Sequence, residues 1–110
     1  MTFDTLRNTR QFNQVYKKGK SVVNRHVVMY YSKNQLGYNQ VGFSVSKKVG
    51  KAVVRNRVKR LMKESYRINN EKLKQGYDVV FVARVRSKDS TYLEIEKAMK
   101  YCFNKGKLMR

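Results

Sequence analysis

Apolar residues in this chain follow a period near 3.6 in some stretches and near 2 in others, which divides it into elements. Asn8 and Gln11 have the spacing of a capping box, and Phe12, Val15 and Tyr16 recur at i, i+3 and i+4 before Gly19, so a short first helix is predicted. Residues 21–32 are rich in Val and Tyr and alternate loosely, whereas residues 41–46 alternate strictly. Turn-forming residues at 34–39 separate the two stretches, which together predict a two-stranded hairpin.

The segment 44–64 reads as a helix that is both amphipathic and basic. At about 100° per residue, Val54, Val58, Leu61, Met62, Ser65 and Ile68 share one sector, and Arg55, Asn56, Lys59, Arg60, Lys63 and Arg67 fall opposite. The helix should fade near 69–70. Residues 77–84 are nearly continuously apolar, as suits a strand buried on both faces. Thr91 and Glu94 form a second capping-box pattern, and Ile95, Ala98, Met99 and Cys102 make a helical stripe that leads into a basic tail at 105–110. The order helix, strand, strand, helix, strand, helix predicts an α+β fold, a small mixed sheet packed with helices in a two-layer sandwich. Repeats, low-complexity segments and linkers are absent from the sequence.

Charge adds what the pattern lacks. The chain has 110 residues, the length of a single domain spanning 1–110, and carries 26 Lys and Arg against 7 Asp and Glu, a net charge of +19. Between Lys47 and Arg67 lie nine basic residues and one acid, Glu64. Self-repulsion on that scale calls for a polyanion, and the balance is that of a nucleic-acid binder. Hydrophobic residues at 41%, with eight Tyr and five Phe, exclude a wholly disordered basic tail. One cysteine, Cys102, excludes an internal disulfide, reads as core and fits a reducing cytoplasm. The first residues form no signal-peptide core, and no apolar run is long enough to cross a membrane.

Catalytic chemistry is not written in these residues. The seven acids are scattered without metal-ligand spacing, and His26 is the only histidine. Two-metal hydrolysis needs clustered carboxylates, and metal-free cleavage needs a paired acid and base, so neither a catalytic residue nor a protein metal site is expected. Lys47, Lys48 and Lys51 flank Gly50 where a strand passes into the basic helix, so backbone N–H groups and the helix dipole add to their charge, as for a bound phosphate. No P-loop pattern follows.

Arg55-Asn56-Arg57, set between residues 46–54 and 58–60, resembles the signature of the protein subunit of bacterial ribonuclease P. The resemblance extends to Phe12, Val15, Tyr16 and Gly19, to residues 21–25, to Tyr30 and to the strand at 79–84. It implies a small protein that joins a large catalytic RNA, in a holoenzyme that removes the 5′ leader of precursor tRNA. The RNA then holds the active site and its Mg²⁺, with no obligate protein partner. It also implies a left-handed βαβ crossover, as in a small ribosomal protein and a domain of a translocation GTPase, against the usual right-handed rule.

By this resemblance Lys47, Lys48, Lys51, Arg55, Asn56, Arg57, Lys59, Arg60, Lys63 and Arg67 anchor the catalytic RNA. Asn56 could equally cap a local backbone turn. Phe12, Tyr16 and Tyr30 would line a cleft for the single-stranded leader, with Lys17 and Arg25, alongside Lys18 and Lys20, extending the positive field. Spacing alone would make Phe12 and Tyr16 a core pair, and Phe12 can serve both ends. A ribosomal protein and an independent nuclease are the competing readings.

Overall fold

The computed structural model describes residues 3–110. Its elements are β1 (Asp4–Thr5), α1 (Thr9–Lys18), β2 (Lys20–Val23), β3 (Val27–Lys33), β4 (Gln40–Ser44), α2 (Ala52–Asn69), β5 (Tyr77–Ala83) and α3 (Tyr92–Lys105), with 3₁₀ turns at Asn70–Lys72 and Val85–Asp89. The five strands form one mixed sheet in the order β1-β4-β5-β3-β2. β4 runs parallel to both β1 and β5, while β3 is antiparallel to β5 and β2.

Both capping boxes form. Gln11 N–H donates to Asn8 Oδ1 at 2.9 Å, and Glu94 N–H donates to Thr91 Oγ1 at 3.2 Å, while the Asn8 and Thr91 N–H groups donate back to the Gln11 and Glu94 side-chain oxygens. Gly19 ends α1, its N–H on the Val15 carbonyl at 2.8 Å. A Cβ there would sit 2.7 Å from the Tyr31 carbonyl oxygen, so only glycine lets the chain turn so tightly into β2.

The expected hairpin between 21–32 and 41–46 is not what forms. Residues 20–33 hold both arms of a different hairpin, β2 and β3, because Asn24 reverses the chain: its Oδ1 accepts the His26 N–H at 2.9 Å and its own N–H reaches the Val27 carbonyl at 2.9 Å. The turn residues at 34–39 tie instead to the start of β5, through Asn34 N–H to the Gly76 carbonyl and Asn34 Nδ2 to Asp78 Oδ1, each 2.9 Å. β5 thus lies between β3 and β4, and its Val79, Val80 and Phe81 are fully buried, as the apolar run predicts.

Helices cover both faces. On one, α2 and α3 pack on Met29, Val41, Phe43, Val79 and Phe81 through Val58, Met62, Tyr66, Ile95, Met99 and Phe103. On the other, α1 sets Val15 and Phe12 against Leu6 and Val80. The buried sector of α2 is Val58, Met62, Ser65, Tyr66 and Asn69. Ile68, expected inside, is 46% exposed, and Leu61 is half-buried. The helix is rolled toward Tyr66, whose hydroxyl donates to Asn70 Oδ1 at 2.8 Å and accepts from Asn39 Nδ2 at 3.0 Å. Burial pushes that phenol up to about 12.

Candidate RNA interface

Strand register brings the basic segments together. Val27 pairs with Ala83 and Ser44 with Val82, so the β2–β3 turn, the loop between β4 and α2 and the segment after β5 all lie at one end of the sheet. Arg25 comes from the first, Lys47, Lys48 and Lys51 from the second, and Arg84 and Arg86 from the third. Arg25, Arg84, Val85 and Arg86 line a cavity of about 350 Å³. Arg84 is held in place, its N–H on the His26 carbonyl at 2.8 Å and its Nη1 on the Asn24 carbonyl at 2.9 Å. Neither Arg84 nor Arg86 was evident as a site residue from sequence; the only signal is that Arg84 closes an apolar strand with a charge.

On the α1 face, the three aromatics expected to act together do meet. The rings of Tyr16 and Tyr30 are 4.8 Å apart at 71°, and those of Phe12 and Tyr16 are 6.5 Å apart at 71°. Phe12 doubles as packing, since a Cβ on Gly42 would stand 2.5 Å from its Cζ. Tyr16 remains 36% exposed. Partial burial raises its phenol pKa, a hydrogen bond with Ser44 opposes this, and the neighbouring Tyr30 adds to the rise. Phe12, Asn13, Tyr16 and Ser44 line a cavity of about 320 Å³ with Arg7, Asn8 and Thr9 from the start of α1. Ser44 has no local signal in the sequence, because only the pairing of β4 beside β5 brings it across from α1. Lys17 is exposed beside this trough, whereas Lys18 and Lys20 line a different cavity.

The basic helix lies on the opposite face. Arg55 and Arg57 leave it about 200° apart, so they cannot grip one phosphate together. Each anchors a turn of backbone: Arg55 Nε donates to the Gly50 carbonyl at 3.2 Å, and Arg57 Nη2 to the Ser90 carbonyl at 2.8 Å, which ties α2 to the start of α3. The remaining donors of each guanidinium make no bond to the described residues. Asn56, Arg60 and Lys63 are exposed between them, and Lys59 is half-buried. Asn56 makes no hydrogen bond of its side chain to a local turn. Arg67 is committed to Glu64 through a two-point ion pair, 3.2 Å at Nε, which lowers the Glu64 pKa. Lys51 caps α2 without a side-chain hydrogen bond, so the first N–H groups of the helix lack a side-chain partner there, next to exposed Lys47 and Lys48.

The aromatic trough and the basic helix therefore face away from each other and meet at residues 46–51, which begin two residues after Ser44. Among the described residues no group of three or more His, Cys, Asp and Glu is placed to hold a metal ion, and no helix is long and apolar enough to cross a membrane. The surface offers cations, amides and aromatic faces, groups suited to phosphate and base.

The Ribonuclease P family profile matches residues 2–107. The chain is 53% identical over 104 residues to the ribonuclease P protein component of Alkaliphilus oremlandii, covering 94% of this chain and 91% of that protein. It is 56% identical over 96 residues to that of Clostridioides difficile, covering 86% and 84%. Among solved structures it resembles the Staphylococcus aureus RNase P protein, with a TM-score of 0.89, 33% identity and coverage of 96% and 97%. The Thermotoga maritima RNase P protein gives a TM-score of 0.81 at 29% identity, covering 89% and 93%. A shared fold and sequence identity along almost the whole length agree: the chain belongs to the ribonuclease P protein family.

Proposed function

We propose that this protein, as one RNA-binding domain, grips the catalytic RNA of ribonuclease P with its basic helix and the 5′ leader of precursor tRNA with its aromatic trough. As a ribonuclease P protein component it is part of the enzyme that matures tRNA 5′ ends, and its partners are RNA. The observation that carries the finer reading is the meeting of the two surfaces at one end of the sheet. A single loop, 46–51, then lies beside both RNAs. Exposed Lys47, Lys48, Lys51, Arg60 and Lys63, half-buried Lys59 and the free donors of Arg55 and Arg57 neutralise phosphates of the catalytic RNA, exposed Asn56 adds a neutral hydrogen bond, and each charged contact steepens the salt dependence. Arg67 contributes less, because Glu64 already holds it. Phe12, Tyr16 and Tyr30 stack on leader bases, worth about 1 to 3 kcal/mol each without demanding sequence, Lys17 supplies field beside them, and Arg25 supplies it from the end of the sheet with Arg84 and Arg86.

The cleavage chemistry belongs to the RNA subunit with its Mg²⁺, and the work is cytoplasmic. Protein cations reduce the Mg²⁺ needed to hold two polyanions together. Reconstituting precursor-tRNA cleavage with a bacterial ribonuclease P RNA at low Mg²⁺ tests this. Cleavage should be fast with the protein, slow with the RNA alone and absent with the protein alone. Turnover by RNA-free protein would overturn it.

A further inference from the structure

At the other end of the sheet, roughly 20 Å along the strands from the basic loops, lies a second concentration of charge. Lys18, Lys20, Lys33, Lys74 and Lys107 line a cavity of about 410 Å³, and no carboxylate lines it. Five ammonium groups gathered around one hollow repel each other unless an anion sits among them. Two tyrosines complete the lining: Tyr31 from β3 and Tyr77 from β5, with ring centroids 6.4 Å apart and tilted at 56°. Their hydroxyls have no hydrogen-bond partner among the described residues.

The backbone is bent to build this hollow. Gly106 passes so close to the sheet that a Cβ would stand 3.2 Å from Tyr31 Cε1. Lys107 follows at φ 60°, a left-handed conformation that ordinarily favours Gly or Asn. It is held there by its N–H on the Asn104 carbonyl at 3.1 Å and by buried Leu108, whose N–H reaches the Phe103 carbonyl at 2.9 Å. These bonds close the end of α3 and fix Lys107 at the rim of the hollow.

We infer that this cavity is a second RNA-contact site, which takes one unpaired nucleotide with its phosphates on the lysines and its base against Tyr31 or Tyr77. Lysines and tyrosines together match a nucleotide better than a bare phosphate, for which the aromatic wall has no use. The site rests on the RNA-binding reading above but not on the leader trough: the two share no lining residue, and the α1–β2 link at Gly19 lies between Tyr16 and Lys20. The nucleotide comes either from the catalytic RNA or from the distal part of a long leader that crosses that link.

The test compares full-length protein carrying Lys18→Gln, Lys20→Gln and Lys107→Gln with a charge-matched control carrying Lys72→Gln, Lys97→Gln and Lys105→Gln. Affinity for the catalytic RNA is measured, and holoenzyme affinity for precursors with short and long leaders. A loss about tenfold beyond the control is expected in one of these. Appearing in assembly, it assigns the nucleotide to the catalytic RNA; appearing only with long leaders, to the leader. Losses equal to the control in every arm overturn the site, while wild-type protein that fails to bind RNA at all would instead sink the parent reading. Because the chain contains no tryptophan, Tyr77→Trp puts the sole indole at the cavity. Its fluorescence should be quenched by single-stranded oligouridylate, and an unchanged signal at saturating RNA overturns the proposal even if the lysine variant fails to fold.

Discussion

The Phe12 ring rests on Gly42 so closely that a single added methyl at residue 42 would meet its Cζ at 2.5 Å. The proposed leader stacking and the inner packing of α1 thus share one side chain. Gly42→Ala should push the ring outward and destabilise the fold by about 1 to 3 kcal/mol, the usual range for overpacking. Holoenzyme affinity for precursor tRNA should fall with it. Thermal melting and binding, measured together, check both effects; an unchanged melting temperature would show that the ring yields freely.

Replacing Phe12 and Tyr16 by Leu keeps apolar bulk but removes the flat π-faces. Affinity for precursor tRNA should then fall by about 1 to 3 kcal/mol per lost stack, while affinity for mature tRNA, which lacks the leader, hardly moves. Equal losses for both would assign the two rings to packing alone.

Arg55→Ala and Arg57→Ala together should weaken assembly with the catalytic RNA, with a salt slope shallower by about 0.9 per lost phosphate contact in the duplex limit. The two differ in what else they do. Arg57→Ala removes the 2.8 Å bond to the Ser90 carbonyl and should lower the melting temperature, since it unties α2 from α3. Arg57→Lys should restore the charge without the fork, recovering the salt slope better than the melting temperature. An RNA affinity unchanged at moderate salt would remove the anchoring role.

Within α2, Met62 is fully buried and Ile68 is not. Met62→Ala should cost about 2 to 5 kcal/mol of stability, half-buried Leu61→Ala less and Ile68→Ala least. Chemical denaturation gives the order directly, and a large loss at Ile68 would contradict the roll of the helix.

Two buried acids govern alkaline stability. Burial raises Tyr66 from 10.0 to about 12 and Cys102 from 9.0 to about 12. In each case the neutral form is favoured in the folded state, so stability is fully present below the unfolded value and is lost as pH rises through the folded one. Denaturant midpoints should fall from about pH 9 toward 12. In Cys102→Ala the decline should begin nearer the unfolded tyrosine value of 10.0. The difference between the two proteins isolates the thiol.

Local chemistry was legible in the sequence where it decides local structure. Asn8 with Gln11 and Thr91 with Glu94 cap the helices they announce, and the unbroken apolar run of β5 does become the central strand. Pairing was not legible, because β4 finds β5 across a helix and the turn at Asn24 interrupts a stretch whose alternation was already loose. For the same reason the interface was half visible. Helix spacing sets Arg55, Lys59 and Lys63 on the polar side of α2, and the resemblance picks out Phe12 and Tyr16. Arg84, Arg86 and Ser44 join them only through strand register, which no residue in their neighbourhood encodes.

The place of β5 between β3 and β4 also sets when this protein can first work. During synthesis the β2–β3 hairpin and α1 emerge early, but each then lacks the strand on which it packs, since Val15 needs Val80 and Met29 pairs with Phe81. Long-range insertion of this kind makes folding slow and late. An amino-terminal fragment ending before residue 77 therefore presents no finished trough, however complete its basic helix. Nascent chains on the ribosome should attract RNA by charge long before they can discriminate one RNA from another.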